Sequence, residues 1–360
     1  GELVAAPLNR TISLARVAAI LFVLAYIVWR FGTDRSDPMH EFVGVTMGTT
    51  FRVTVDADDA SAEALVHLEG LIEERLEQVN GLMSTYDLES ELSRLNQSTR
   101  REPLQVSNEL FEVLTLAQDV SERSGGAFDV TVAPLVNAWG FGPGELLITA
   151  PEETALAVLR DHIGYELIAL EEESHSVSTL DQETVLDLSG VAKGYAVERL
   201  GGDLVALGYT SFLIEVGGEL KARGIRQDGR PWRVGIESPD EMAPTIYGTV
   251  ELRNEAIATS GDYRNFFEEG GVRYAHIIDP RTGSPLPFRG VSVSVVSQNA
   301  ALADAWATAL SVLGPTEGYQ LADREGIAAI FITQSESGFE SLTTEAMADR
   351  FVVLSEESPS

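Results

Sequence analysis

The segment Asn299 to Pro315, NAALADAWATALSVLGP, has helical propensity throughout, with Asn299 as a cap and Gly314-Pro315 as a stop. Asp304 is its only charge. In so apolar a helix every face is buried, and an isolated buried carboxylate is costly unless it is paired or holds a cation. Thr308 follows four residues on and offers a second oxygen on the same face. A hard cation such as Mg²⁺ takes one or two such protein oxygens and fills its octahedron with water and substrate phosphate. The alternative is that Asp304 caps a neighbouring element or pairs with an arginine.

Other short segments combine glycine, an acid and one unusual residue. In Leu186 to Ala196, LDLSGVAKGYA, a strand end meets a glycine turn and then a helix holding Lys193. Such glycines let backbone groups approach a ligand, and the helix N-terminus favours anions. Only two lysines occur in the chain, Lys193 and Lys221, so Lys193 is as much a candidate ligand for an anion as a surface charge. In Ala275 to Pro285, AHIIDPRTGSP, His276 ends a strand and Asp279-Pro280 opens a turn. A histidine there is either a proton carrier or a satisfied structural residue. FLIEVGGEL (212–220) and IATSGDYR (257–264) bring glycine turns and backbone amides against acids, while MSTYD (83–87) and GAFD (126–129), with Trp139 close behind, set aromatics beside polar groups. Flat ring systems need that combination, although core packing also explains each aromatic taken singly.

Composition bounds what these segments serve. A chain of 360 residues, 44% hydrophobic, forms one large domain or two small ones with a real core. Against 25 Lys and Arg stand 56 Asp and Glu, a formal net charge of -31, which repels phosphate backbones and excludes nucleic acid as an expected partner. The absence of cysteine excludes disulfides, thiolate metal sites, thiol nucleophiles and a lipid-modified cysteine. No GxxxxGK[ST], GxSxG or HExxH occurs, and the histidines at 40, 67, 162, 175 and 276 form no cluster in sequence.

The elements that must position these residues follow a polar linker, 32–40, and a hydrophobic run. Val17 to Trp29 is uncharged and spans about 20 Å, short of the roughly 30 Å of a bilayer core. The short core alone resembles the apolar region of a cleaved signal peptide; over Ile12 to Phe31 it reaches membrane length if Arg16 and Arg30 snorkel, and no small-x-small cleavage site follows, so residues 1–31 read rather as a retained signal anchor. Residues 41–360 read as one catalytic body. FRVTV (51–55) alternates as a strand, Leu65, Leu68, Ile72, Leu76 and Val79 recur at helical spacing, and Ser107 caps a helix ending at Gly125-Gly126. Strands are expected at 212–216, 232–236, 248–252, 274–278 and 291–296. Grouped rather than alternating helices and strands argue for an α+β fold.

Taken in order, VTMGTTF, MSTYDLESELSRLN, GGAFDVTVAPLVNAWGFG, LDLSGVAKGYA, FLIEVGGELKARG, IATSGDYR, HIIDPRTG and ADAWATAL resemble the FAD:protein FMN transferase, or ApbE, family over about residues 43–316. The resemblance implies a compact two-lobed α+β fold with a ligand cleft between the lobes, preceded here by the N-terminal hydrophobic helix. It implies Mg²⁺-dependent transfer of FMN from FAD to a threonine hydroxyl of a partner flavoprotein, with release of AMP. FAD hydrolysis to FMN and AMP, or FAD binding without turnover, are the alternatives. Carried over by residue, Met47, Tyr86, Ala127, Phe128, Asp129, Asp187, Lys193 and Ile278 contact FAD, Tyr86 beside the flavin ring. Asp304, Thr308 and the Gly190 carbonyl hold Mg²⁺, and His276 is the candidate general base beside the catalytic Asp304. Ala301 stands where some members carry another acid, and the hydrophobic run takes the place of the lipid that tethers others. The expected location is the inner membrane, with the catalytic body facing the periplasm and its threonine-bearing acceptor.

Overall fold

The computed structural model describes residues 39–57, 60–98, 102–143, 149–226, 228–240, 245–261, 266–269, 272–287, 290–336 and 338–354. The expected anchor lies outside the described residues. Met39 and His40, assigned to the linker by composition, open the first strand, where the compact body begins.

One sheet organises that body. Its strands are β1 (Met39–Thr46), β2 (Thr49–Asp56), β3 (Phe212–Val216), β4 (Glu219–Arg223), β5 (Ala256–Gly261), β6 (Val291–Ser297), β7 (Ala328–Ser335) and β8 (Gly338–Thr343). They lie side by side in chain order, each antiparallel to the next. Apart from the C-terminal stretch that follows β8 and holds the strand 351–353, the other described elements are inserted between neighbours. Between β2 and β3 come α1 (Ala62–Met83), α2 (Glu91–Gln97), α3 (Asn108–Arg123), α4 (Ala133–Ala138), α5 (Glu153–Arg160) and α6 (Ala192–Ala206); between β6 and β7 comes α7 (Ala300–Arg324).

The period-2 pattern explains the layers. Phe51, Val53 and Val55 of β2 and Phe212, Ile214 and Val216 of β3 are buried in one core with Leu200 and Leu204 of α6 and Trp306 and Leu310 of α7. On the opposite face Ala222, Ile257, Ile330 and Ile332 meet Trp232, Val234, Ile236, Val250 and Leu252 from a small antiparallel sheet of 232–237, 246–252 and 351–353. The main sheet is thus covered by helices on one side and by a second sheet on the other. The mixed helix and sheet class expected from the sequence is the one observed.

Two local expectations change. The helix after Asn299 does not stop at Gly314-Pro315: Gly314, at φ 74°, breaks the helical path and a further stretch runs on to Arg324. Proline fits there because it opens the new stretch, where its missing N–H has no role. His276 does not end its strand but lies inside Val272–Asp279, which pairs with Ser284–Pro287 across an irregularity between Tyr274 and Ile278.

Helices α6 and α7 touch backbone to backbone at Gly194. A Cβ there would stand 2.4 Å from the Ala300 carbonyl oxygen and 2.7 Å from the Asp304 Cβ. Gly194→Ala therefore forces the helices apart and is expected to destabilise the fold by about 1–3 kcal/mol. Urea unfolding measures it, and an unchanged midpoint would disprove the close approach.

Candidate active site

Two of the expected cation ligands, Gly190 and Thr308, are neighbours, and Asp304 stands one turn before Thr308 on the same helix. Asp304 is 4% exposed, as the apolar helix around it requires, and its Oδ2 accepts the Gly194 N–H at 2.9 Å. Lys193 brings its Nζ to 3.8 Å from the same oxygen and to 3.5 Å from Glu219 Oε1. Burial pushes the Asp304 carboxyl above the ordinary carboxylate range, and the Lys193 charge and the Gly194 amide offset only part of that. Gly190 packs against Thr308: a Cβ at Gly190 would lie 3.4 Å from Thr308 Oγ1 and 3.1 Å from the Phe128 ring. One carboxylate, one hydroxyl and one backbone carbonyl form an all-oxygen donor set of the kind Mg²⁺ accepts. Among the described residues no three His, Asp or Glu side chains converge into a metal cluster.

The stretch 127–131 ties the remaining candidates together. Ala127 is buried with Ile277 and Val312, Phe128 faces Gly190, and the Val130 carbonyl accepts the Asp187 N–H at 2.7 Å. Asp129 is 6% exposed; its Oδ1 accepts the Thr131 N–H at 2.8 Å and hydroxyl at 2.7 Å, yet burial still holds its pKa above the usual value. Asp187 accepts the Ser189 N–H at 2.7 Å and helps to line a cavity of about 170 Å³ with Thr85, Asn96 and Asn137. Met47 turns the chain between β1 and β2 at φ 48°. Two residues on, Thr49 lies against Gly217, as does the Lys193 stem, so the strand that leaves the Met47 turn and the Gly217-Gly218 turn meet beside Lys193.

Tyr86 and His276 form an aromatic edge. Tyr86, 68% exposed, donates its hydroxyl to the Phe141 carbonyl at 3.2 Å, and the Phe141 ring meets the His276 ring edge-on with centroids 6.5 Å apart. Ile278 turns inward: it is 5% exposed and packs with Leu135, Trp139 and Leu156, so only its backbone is left for a ligand. A larger cavity, about 430 Å³, opens where Gly314 and Ser311 face Ser284–Pro287, and none of the expected flavin residues lines it. Of the IATSGDYR segment, residues 262–265 lie outside the described residues.

Residues 47–331 match the sequence model of the ApbE family. The chain belongs to the ApbE family. A relative from Vibrio cholerae, a FAD:protein FMN transferase, is 38% identical over 326 residues, which is 91% of this chain and 97% of the relative. One from Escherichia coli K12, of the same name, is 35% identical over 300 residues, 83% of this chain and 85% of its own. Among solved structures, the Vibrio cholerae flavin transferase ApbE superposes with a TM-score of 0.78 at 36% identity, over 86% of this chain and 98% of that one. The Thermotoga maritima ApbE protein gives 0.76 at 27% identity, over 86% and 98%. Like these relatives, this ApbE chain is an enzyme of the transferase class.

The sequence alone did not single out Glu219 or Asn96. Glu219 is 3% exposed beside Lys193, and its signal was an acid directly after two glycines near one of two lysines. Asn96 holds Leu186 from both sides, donating to its carbonyl at 2.9 Å and accepting its N–H at 2.8 Å, as a neighbouring strand does. In the metal-free ApbE chain, a raised folded-state pKa means that Asp304 favours folding when protonated. That contribution is fully present below the ordinary carboxylate range and is lost as pH rises through the folded pKa. Asp304→Asn keeps an acceptor for Gly194 and carries no charge, so thermal melts without divalent cation are expected to show it stabilised at neutral pH. The gain should vanish in acid; a variant less stable than the parent at neutral pH would contradict this.

Proposed function

We propose that the protein transfers FMN from FAD to a threonine hydroxyl of an acceptor flavoprotein and releases AMP. The observation that carries this reading is the buried Asp304 carboxylate, one turn before Thr308, which packs on Gly190, and facing Lys193 at the start of α6. The names of the relatives support FAD as donor and a protein as acceptor. In this reading Asp304, Thr308 and the Gly190 carbonyl hold Mg²⁺, which when bound neutralises charge on the pyrophosphate. Lys193 sets a cation beside the phosphates at the start of α6, where the helix dipole favours the same anion. Met47, Ala127, Phe128, Asp129, Asp187 and the Ile278 backbone border the flavin in a cleft between two lobes, and the exposed ring of Tyr86 offers a face to the isoalloxazine.

The acceptor threonine oxygen attacks the FMN phosphorus in line. A new P–O bond forms, the bond from that phosphorus to the bridging oxygen breaks, and AMP departs with the oxygen. His276, at the aromatic edge beside Phe141, takes the threonine proton. The uncharged run 17–29 supports a tether to the inner membrane, and the family resemblance supports a catalytic body on the periplasmic side. That run lies outside the described residues, and among the described ones no helix is long and apolar enough to cross a membrane.

Incubation with FAD, Mg²⁺ and an acceptor domain, read by AMP release and acceptor mass, tests the proposal. The expected result is a Mg²⁺-dependent gain of one FMN unit with one AMP released. AMP and free FMN without any acceptor gain would instead identify a pyrophosphatase, and bound FAD without AMP a carrier. Asp304→Ala is expected to lose transfer while remaining folded. His276→Asn is expected to slow it by about 10²–10⁴-fold; full rates between about pH 6 and 8 would remove His276 from the base role.

A further inference from the structure

Gly194, Glu198 and Gly201 follow one another at spacings of four and three along α6 and so share one face. Gly194 meets α7 at Asp304. One turn later Glu198 reaches α7 again: its Oε2 accepts the Ala300 N–H at 2.8 Å. Ala300 is the first residue of α7, and its amide has no acceptor within the helix. The Leu302 amide is already taken by the Asn299 side chain at 3.0 Å, so the cap and Glu198 divide the first turn between them. A carboxylate at a helix N-terminus is also favoured by the helix dipole.

Glu198 is itself held. Lys221 on β4 donates to its two oxygens at 2.8 and 2.7 Å and to the Gln298 carbonyl at 2.9 Å. The pair is largely covered, with side-chain exposures of 14% for Lys221 and 28% for Glu198. Gly201 makes room for it, since a Cβ there would stand 3.0 Å from the Lys221 Cδ. The Gly194–Asp304 and Glu198–Ala300 bonds lie one turn apart on each of two helices running in opposite directions. Apolar packing tolerates small turns and slides, and two such bonds one turn apart fix the rotation and register of α7 against α6 more closely than one.

We propose that Glu198, held by Lys221, is a positioning residue for the Asp304 site: it anchors the first turn of α7 so that Asp304 and Thr308 stay level with Gly190. It touches neither the substrate nor the metal. The proposal rests on the cation reading of Asp304 given above, and its test separates the two.

The full chain, with FAD present and no acceptor, is titrated with Mn²⁺ as a paramagnetic stand-in for Mg²⁺, and bound metal is read by electron paramagnetic resonance. Thermal melts of each variant accompany the titration. Loss of a residue that orients metal ligands typically weakens metal binding by about 10–100-fold. Glu198→Ala is expected in that range, with the dissociation constant for FAD, measured without metal, changed by less than about twofold because the substrate's own contacts remain. Glu198→Gln keeps an acceptor for the Ala300 amide and is expected to recover most of the affinity; Lys221→Met, which frees the Glu198 carboxylate to swing, is expected to lose several-fold. A folded Glu198→Ala variant with parental Mn²⁺ affinity overturns the proposal. Should Glu198→Ala fail to fold, parental affinity in Lys221→Met overturns it instead. Equal Mn²⁺ binding by the parent and by Asp304→Ala overturns the cation reading and takes the proposal with it.

Discussion

A carboxylate buried on an otherwise uncharged helix sets the terms for the rest of this structure. Asp304 sits among alanines, a tryptophan and leucines with almost no exposed surface. Such a group needs donors close by, and it finds a backbone amide of α6 and the amine of Lys193. The amide can reach it only because residue 194 has no side chain. From that single contact follow the close crossing of the two helices, the placement of Lys193 at a helix start, and the need for a rigid support beneath them. The eight-stranded sheet supplies that support, with β3 and β4 under α6 and β5 and β6 under α7.

Lysine use follows the same logic. In a chain with a formal net charge of -31, arginine provides nearly every cation, and the two lysines lie on either side of one glutamate-bearing seam. Lys193 stands between Asp304 and Glu219, while Lys221 binds Glu198. Glu219 and Lys221 project from the same face of β4, two residues apart. Opposite charges therefore alternate from the start of α7 to the Asp304 carboxylate. A compact ammonium on a slim stem suits such places better than a planar guanidinium, because each stem passes over a glycine, Gly217 for Lys193 and Gly201 for Lys221.

What could be read in the sequence was local. The Asn299 cap, the lone Asp304, the place of Thr308 one turn on and the turn before Lys193 are statements about neighbours, and short-range rules decide them. The mixed fold class followed from grouped strand and helix patterns. The order of strands did not, because nothing in periodicity says that β3 lies beside β2 after the excursion of residues 57–211. His276 looked terminal because a proline turn follows closely, yet the strand continues three residues beyond it. Gly314-Pro315 carried a stop signal that was correct for one helical path and silent about the next. Glu198 was invisible for a similar reason: an acid within a helix reads as solvated surface until the amide it caps, more than a hundred positions away, is known.

The simple side-by-side order of the main sheet has a kinetic side. Between β2 and β3 the chain makes its longest detour, and their pairing cannot form until that whole loop has closed on itself. α6, with Lys193 and Glu198, is the last helix of the detour, directly ahead of β3. During synthesis from the N-terminus, β1 and β2 thus wait as an isolated hairpin, marginal by itself, until α6 has emerged. The first hairpin and the remaining six strands of the sheet are joined by the same event that delivers the α6 half of the site, so a molecule that has closed its sheet has also installed that half of its chemistry.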